Sequence, residues 1–221
     1  GRLGTETAFE VLAKAKKLEA QGKDIVHLEI GEPDFETPEH IKEAAKKALD
    51  DNFTHYVPSP GLMEVREVIA EHQSDVHNKN ISPENVVFTP GAKPIMFFTI
   101  MALIEPGDEV IYPNPGFPIY ESMINYVGGK AVPMELKEEK EFNADVDLIE
   151  QSITDKTKLI ILNSPNNPCG SVMEPSDIKK VADIAKEKDI VILTDEVYKD
   201  LYFEGSHNSV YDYDGMEENV V

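Results

Sequence analysis

From residue 85 onwards, short and nearly continuous apolar runs alternate with longer segments of helical character. The runs predict β-strands at Val86–Thr89, Glu109–Tyr112, Lys130–Leu136, Leu159–Asn163 and Ile190–Thr194. The segments between them predict helices at Pro94–Ile104, Phe117–Tyr126 and Pro175–Lys188. Strands that lack polar alternation and are separated by helices are typical of a mostly parallel sheet covered on both faces. The pattern therefore predicts an α/β fold, and Asn219–Val221 is interpreted as the start of a further strand.

Helices dominate the predicted elements before residue 85. They are predicted at Thr7–Ala20, Thr37–Leu49 and Leu62–Val76. In the second helix, Thr37 and Pro38 are expected to form the cap and the first turn. A short strand is predicted at Ile25–Ile30.

Turn-forming and polar residues follow four of the predicted strands. They are Gly91–Lys93, Asn114–Phe117, Asn163–Gly170 and Asp195–Tyr198. In open parallel sheets, ligands bind beyond the carboxyl ends of the strands. We therefore expect these four segments to converge on one site.

Three of these segments have a chemical interpretation beside a plain structural one. The start of a helix at Gly91–Lys93 favours a phosphate, although a lone junction of this kind is more often an ordinary tight turn. Asp195 follows a buried strand and needs a polar or cationic partner, unless it merely caps a turn. The loop Asn163–Gly170 is more specific, because its two prolines, three asparagines and final glycine constrain the backbone throughout. Loops of this kind usually present side chains to a ligand.

Charge and cysteine content narrow the class of protein. Acidic residues outnumber basic ones by 42 to 21, which gives a net charge of -21 and argues against nucleic acid or a membrane surface as a partner. The single cysteine, Cys169, excludes an internal disulfide framework and predicts a cytoplasmic location. The longest apolar run, Phe97–Ile104, is too short to cross a bilayer. The opening residues Gly1–Leu3 show no pattern of a signal peptide.

Two other classes of site find no support in the sequence. A zinc site is not indicated, because His72 and His77 lie five positions apart, off a common helical face, and the lone cysteine has no partners. A dinucleotide-binding turn is not indicated either, because no Gly-x-Gly-x-x-Gly sequence follows a strand.

Five segments together resemble the fold-type I aminotransferases of the aspartate aminotransferase superfamily. They are Ile30–Phe35, Thr89–Lys93, Tyr112–Phe117, Asn163–Gly170 and Thr194–Tyr198. They occur in the family's order, and the similarity covers essentially the whole chain. The resemblance implies a three-layer α/β/α large domain with a mostly parallel sheet, incomplete here, at 37–221. An N-terminal arm and a small-domain segment would occupy 1–36.

The resemblance also implies a cofactor, pyridoxal 5'-phosphate, and assigns residues to it. Gly91, Ala92 and Lys93 would form part of its phosphate cup. Phe117 would stack on the pyridine ring, and Asn167 and Tyr198 would hydrogen-bond the ring's phenolic oxygen. Asp195 would pair with the protonated ring nitrogen and so keep the ring cationic.

Two further assignments concern the substrate and a second subunit. Gly31 would lie beside the carboxylate of the substrate, which the resemblance implies to be an amino acid or a 2-oxo acid. Tyr56 would reach the phosphate bound by the neighbouring subunit, which implies a homodimer with shared sites. Lys93 has a second interpretation, in which it attracts the second carboxylate of an acidic substrate.

The chain departs from the family's pattern in two ways. Cys169 stands where threonine is more frequent, and we expect it to pack rather than to act as a low-pKa thiol. The Schiff-base lysine of the family lies in a serine–lysine segment beyond Val221, and no lysine of this chain occurs in that motif. No catalytic residue is therefore assigned, and the chain as written is expected to be inactive. The strand at Val86–Thr89 is also expected to lack its neighbours in the sheet.

Two alternatives to amino transfer remain open. A carbon–sulfur lyase of the same fold would share nearly all of these residues. A non-catalytic fragment that binds the cofactor or a partner chain is the other alternative, and it gains weight from the missing lysine.

Overall fold

The structure, a computed structural model, describes residues 7–221, apart from the side chain of Thr7. The opening residues Gly1–Leu3 therefore lie outside the described part. The chain divides into two compact units. Of the described residues, the sheet unit comprises Asp75–Lys79 and Thr89–Val221, and the helical unit comprises 7–74 and Asn80–Phe88. No helix within the described part is both long enough and apolar enough to cross a membrane.

Three helices and a short 3-10 turn form the regular structure of the helical unit. They are α1, Thr7–Glu19; α2, Glu39–Asp50; α3, Met63–His77, which runs on into the sheet unit; and the 3-10 turn Pro83–Asn85. The helices predicted from the sequence are confirmed. Pro38 precedes the first residue of α2, and no side chain caps that helix, so the predicted capping role of Thr37 is wrong.

Neither of the strands predicted before residue 90 forms. Residues 25–30 pair with no strand among residues 7–221, and Val26 and Leu28 are exposed. Residues 86–89 also form no strand, because other partners take up their polar groups: Arg66 Nε donates to Val86 O at 2.9 Å, and Phe88 N donates to Pro60 O at 2.8 Å. A strand needs a neighbour for its ladder, and none of the described residues supplies one to 86–89.

The sheet unit alternates strands with helices. Its elements are α4, Lys93–Leu103; β1, Glu109–Asn114; α5, Ile119–Val127; β2, Lys130–Glu135; α6, Val146–Ser152; β3, Thr157–Asn163; α7, Pro175–Lys188; and β4, Val191–Asp195. Short 3-10 turns occur at Glu138–Lys140 and Val210–Asp212. The predicted strands and helices of this part are confirmed, and α6 is an additional helix that the sequence pattern did not indicate.

The four strands form one parallel sheet in the order β2-β1-β3-β4. Asn163 and Asp195 are register partners at the ends of β3 and β4. Val220 forms a parallel bridge with Ile192 on the outer side of β4, which confirms the predicted strand start at Asn219–Val221. Because all strands run in one direction, the carboxyl ends of β1, β3 and β4 lie along one edge.

Alternate residues of each strand face opposite layers of helices. Ile111, Ile160 and Ile192 pack with α6 and α7 in one core. Val110 and Leu159 pack with α4 and α5 in the other. All five of these side chains are fully buried. The sheet unit is therefore the three-layer arrangement that the resemblance implied.

Candidate active site at the carboxyl edge of the sheet

Asp195 ends β4 with its carboxylate held by a buried tyrosine. Tyr120, on α5, donates its hydroxyl hydrogen to Asp195 Oδ2 at 2.5 Å. The other oxygen, Oδ1, accepts a long hydrogen bond of 3.4 Å from Val197 N. The carboxylate is thus fixed at the strand end by a side chain that the sequence analysis did not single out.

Tyr120 is suited to hold a carboxylate because it stays protonated. Its side chain is fully buried, and this burial, together with the charge of Asp195, raises the pKa of Tyr120 far above its ordinary value. Tyr198 is close enough to raise this pKa further. A buried phenol that cannot ionise is a permanent hydrogen-bond donor to Asp195.

An aromatic ring and a cation adjoin this pair. The ring of Phe117 meets that of Tyr120 edge to face, with 6.0 Å between ring centroids. Lys93, the first residue of α4, places Nζ 5.5 Å from the centroid of Phe117. Gly91, two residues earlier, has a φ of +93°, and a Cβ added there would meet nothing within 4 Å. The start of α4, Phe117, Tyr120 and Asp195 are therefore linked by a continuous series of contacts.

The loop after β3 joins the same cluster through Asn163. This buried side chain donates from Nδ2 to Asp195 O at 2.9 Å, and its Oδ1 accepts from Asn167 N at 2.7 Å. Asn166 is also buried, and its Oδ1 accepts from Cys169 N at 3.1 Å. Two of the three asparagines therefore hold the loop in shape. Within residues 7–221, the half-buried side chain of Asn167 makes no hydrogen bond, so it is available to a ligand.

The environment of Cys169 supports the packing role expected from the sequence. Burial raises the pKa of its thiol. A raised pKa disfavours the thiolate, which is the reactive form.

The predicted site residues of the sheet unit lie in one cluster. Gly91, Ala92 and Lys93 are at the start of α4, Phe117 precedes α5, Asn167 is in the loop after β3, and Asp195 and Tyr198 are at the end of β4. Gly31 and Tyr56 belong to the helical unit, where both are exposed. Their assigned roles stay predictions.

Tyr120 is the residue that the sequence analysis missed at this site. A signal was present, because Tyr120 lies three positions after Phe117, at the start of a helix that follows a strand end.

Comparisons with known proteins place the chain in a family. The solved structure of aspartate aminotransferase from Thermus thermophilus with maleate superposes with a TM-score of 0.94 at 38% identity, over 99% of this chain and 56% of that one. The fold is therefore that of the PLP-dependent transferases. The sequence profile described as aminotransferase class I and II matches residues 23–220, and the chain belongs to this family.

Two relatives from this family match most of the chain in sequence. A probable aspartate aminotransferase of Methanocaldococcus jannaschii is 45% identical over 186 residues, which are 84% of this chain and 49% of the relative. An aspartate/prephenate aminotransferase of Thermus thermophilus is 41% identical over 199 residues, which are 90% of this chain and 52% of the relative. The chain thus spans about half the length of these relatives.

Replacing Tyr120 with phenylalanine should lower the free energy of unfolding by about 2 kcal/mol, as expected for a hydrogen bond to a charged group. The ring would still fill its place in the core, so the change removes only the hydroxyl. Urea unfolding followed by circular dichroism measures the effect. The matched control is Tyr126→Phe on the same helix, because Tyr126 is exposed. Equal effects for the two variants would contradict the stabilising role of the bond to Asp195.

Proposed function

We propose that this chain forms the cofactor-binding part of an aminotransferase that uses pyridoxal 5'-phosphate to move an amino group between an amino acid and a 2-oxo acid. The main support for the proposal is the Asp195 carboxylate at the end of β4, which is fixed by Tyr120, whose ring in turn contacts that of Phe117. The family and the names of the relatives support amino transfer. They favour it over carbon–sulfur bond cleavage, which none of these names mentions.

The residues at the strand ends fit a flat, phosphorylated and ring-protonated molecule. Bound there, pyridoxal phosphate would supply an electron sink for the substrate's α-carbon. Asp195 would accept a hydrogen bond from the ring nitrogen and keep its proton in place, because an adjacent carboxylate favours the charged form of the ring. Tyr120 holds Asp195 while remaining protonated itself, so it does not compete for the ring proton.

The start of α4 fits the phosphate. The positive end of the helix dipole and the N–H groups of Ala92 and Lys93 favour an anion, whereas the N–H of Gly91 already donates to Thr89 O at 2.9 Å. The open space at Gly91, where a Cβ would otherwise stand, lets an anion approach the backbone.

The remaining residues would hold the ring. Phe117 offers an apolar face to a planar molecule. Asn167 and Tyr198 would hydrogen-bond the phenolic oxygen, and Asn163 orients the loop that carries Asn167 through its bond to Asn167 N. None of these residues needs to move a proton, so their role is to bind and orient.

Other parts of the proposal concern the whole protein. We propose a homodimer in which Tyr56 reaches the neighbouring subunit's phosphate, and a substrate carboxylate beside Gly31. A domain boundary after residue 36 and a cytoplasmic location remain predictions. We also propose that the lysine that binds the cofactor covalently lies outside these 221 residues.

The proposal is tested with the full-length protein that contains this chain. Purified with pyridoxal phosphate, it should retain a visible absorption band after dialysis. It should also transfer the amino group of aspartate, alanine or an aromatic amino acid to a 2-oxo acid. Release of a thiol from cystathionine without amino transfer would instead favour the lyase. A protein that retains no cofactor would contradict the proposal.

Lys93 offers a prediction about the substrate. Its ammonium group lies 5.5 Å from the ring centroid of Phe117, beside the proposed cofactor site, where it could attract the second carboxylate of an acidic substrate such as aspartate. Lys93→Met should then raise the KM for aspartate about tenfold, because a charge-assisted contact contributes about 1.5 kcal/mol or more. The kcat/KM for alanine, which has no second carboxylate, should stay within about twofold on the same scale.

Steady-state kinetics with both substrates measures the Lys93 effect. The matched control is Lys188→Met, because Lys188 is exposed in the last turn of α7. Equal losses with aspartate and alanine would contradict the role in acidic substrates and would support a role in the phosphate cup instead.

A further inference from the structure

The carboxylate of Glu196 lies next to the residues proposed to contact the cofactor, and it has no part in the proposed function. Glu196 follows Asp195, and its side chain is only 16% exposed. Thr194 Oγ1 donates to Glu196 Oε1 at 3.0 Å, and Ser209 Oγ donates to the same oxygen at 2.6 Å. On the other side, His207 Nε2 approaches Oε2 at 2.8 Å, although neither ring nitrogen of His207 is aligned for a hydrogen bond.

These contacts keep Glu196 charged. Burial alone would raise the pKa of Glu196, but the contacts with His207 and Ser209 hold the pKa below its ordinary value. A buried charge with several partners resists displacement, because moving it would leave those partners and the carboxylate unpaired. Glu196 therefore ties the end of β4 to the segment 207–209.

The contacts continue to the loop after β3. The ring of His207 meets that of Tyr202 edge to face, with 6.0 Å between ring centroids. Burial raises the pKa of Tyr202, and the side chain of Ser164 lies close enough to its hydroxyl to lower that pKa in part. Ser164 Oγ also accepts from Met173 N at 3.0 Å. Ser164 follows Asn163, so one set of contacts reaches both loops that carry proposed cofactor ligands.

We propose that Glu196 is a positioning residue that fixes the turn presenting Asp195 and Tyr198. The inference rests on the proposed function, because it assigns the turn the task of holding a cofactor. Glu196 touches no ligand in this proposal and acts only through its neighbours.

Tyr120 and Asn163 also hold Asp195 itself, but the backbone hydrogen bonds of the residues just after Glu196 are weak or local. Val197 N reaches Asp195 Oδ1 only at 3.4 Å, and Lys199 N donates to Glu196 O at 2.9 Å. The preceding strand is held independently by its parallel pairing with β3. Removing the Glu196 side chain should therefore loosen the turn and leave the sheet intact.

The first arm of the test measures amide hydrogen exchange of the 221-residue chain without cofactor. In Glu196→Ala, the amides of 195–201 should exchange about tenfold faster or more, a change equivalent to about 1.4 kcal/mol in local opening. Amides of β1 and β3 should not change. Glu196→Gln keeps an oxygen for Thr194 and Ser209 but loses the charge, so its exchange should lie between those of the wild type and of Glu196→Ala.

The second arm measures the dissociation constant of pyridoxal phosphate in the full-length protein by equilibrium dialysis. Glu196→Ala should weaken the binding of pyridoxal phosphate about tenfold, because Asp195 would no longer be held in position for its charged contact with the ring nitrogen. Glu187→Gln is the matched control, because Glu187 is exposed on α7. Thr194→Val, which removes one hydroxyl at nearly constant shape, replaces Glu196→Ala if that variant does not fold.

Each outcome decides the inference. Faster exchange confined to 195–201 with weaker cofactor binding supports it. Unchanged exchange, faster exchange throughout β1–β4, or faster local exchange with unchanged cofactor binding would each overturn it. A wild-type protein that binds no pyridoxal phosphate would instead contradict the proposed function, and the exchange arm would still show whether Glu196 fixes the turn.

Discussion

Replacing Asp195 with asparagine should slow amino transfer by the full-length protein about a hundredfold to a thousandfold, the usual loss when one preorganised electrostatic partner is removed. Asparagine fills nearly the same space, and its Oδ1 can still accept the hydrogen bond from Tyr120. It carries no negative charge, however, so it would not stabilise the ring nitrogen that Asp195 is proposed to keep protonated. The loss should therefore fall mainly on kcat.

Steady-state kinetics and cofactor titration distinguish this effect from a loss of folding. Asp195→Asn should still fold and should lose only about 1 kcal/mol of stability in urea, because the contact with Tyr120 is retained with a neutral acceptor. Glu187→Gln serves again as the control for a charge lost on the surface. A kcat within about threefold of the wild type, far below the effect expected of such a partner, would contradict the role of Asp195.

The sheet unit was predictable because its central strands, β1 and β3, are buried on both faces. Val110 and Ile111 face opposite cores, as do Leu159 and Ile160, so both positions must be apolar. Such runs are readily recognised in a sequence. The helix α7 begins and ends at the predicted residues because Pro175 opens it and the chain turns at Asp189.

The two predicted strands that do not form lie where pairing partners, rather than local residue types, decide the structure. Val26 and Leu28 belong to an apolar run, but no strand within the described residues pairs with it. Val86 O is taken by Arg66, which lies twenty positions earlier in the sequence. The local pattern of apolar residues carries no information about such distant partners, so it predicts a strand wherever the residue types favour one.

Candidate site residues could be proposed from the sequence where the motifs are short and contiguous. Asp195 and Tyr198 lie in one turn, and Asn167 lies in one constrained loop. Tyr120 and Glu196 were not recognised, since their partners are distant: Tyr120 lies 75 positions from Asp195, and Ser209 lies 13 positions from Glu196. The residues proposed to touch the ligand could therefore be named from the sequence, whereas the side chains that hold them in place became evident in the structure.

The 221-residue chain, assayed alone, should show no amino transfer, although it should bind pyridoxal phosphate reversibly. The residues of the sheet unit that are proposed to bind the cofactor are in one cluster, but none of the chain's lysines occurs in a serine–lysine segment of the kind that the resemblance implies. The chain then has no lysine to anchor the cofactor or to move the proton at the substrate's α-carbon. The rate of amino transfer should therefore fall by at least the contribution of general acid–base catalysis, which is about a hundredfold to ten-thousandfold.

Visible absorbance after dialysis measures whether the chain alone and an extended version retain the cofactor. The chain alone should lose its visible absorption, because a noncovalent complex dissociates, whereas the version extended through the serine–lysine segment should retain it. Asp195→Asn in the 221-residue chain is the matched control, since it should weaken even the reversible binding and so show that the binding uses the cluster at the strand ends. Amino transfer by the unextended chain at the rate of the extended one would contradict this division, because it would mean that a lysine such as Lys93 or Lys199 already performs the covalent chemistry.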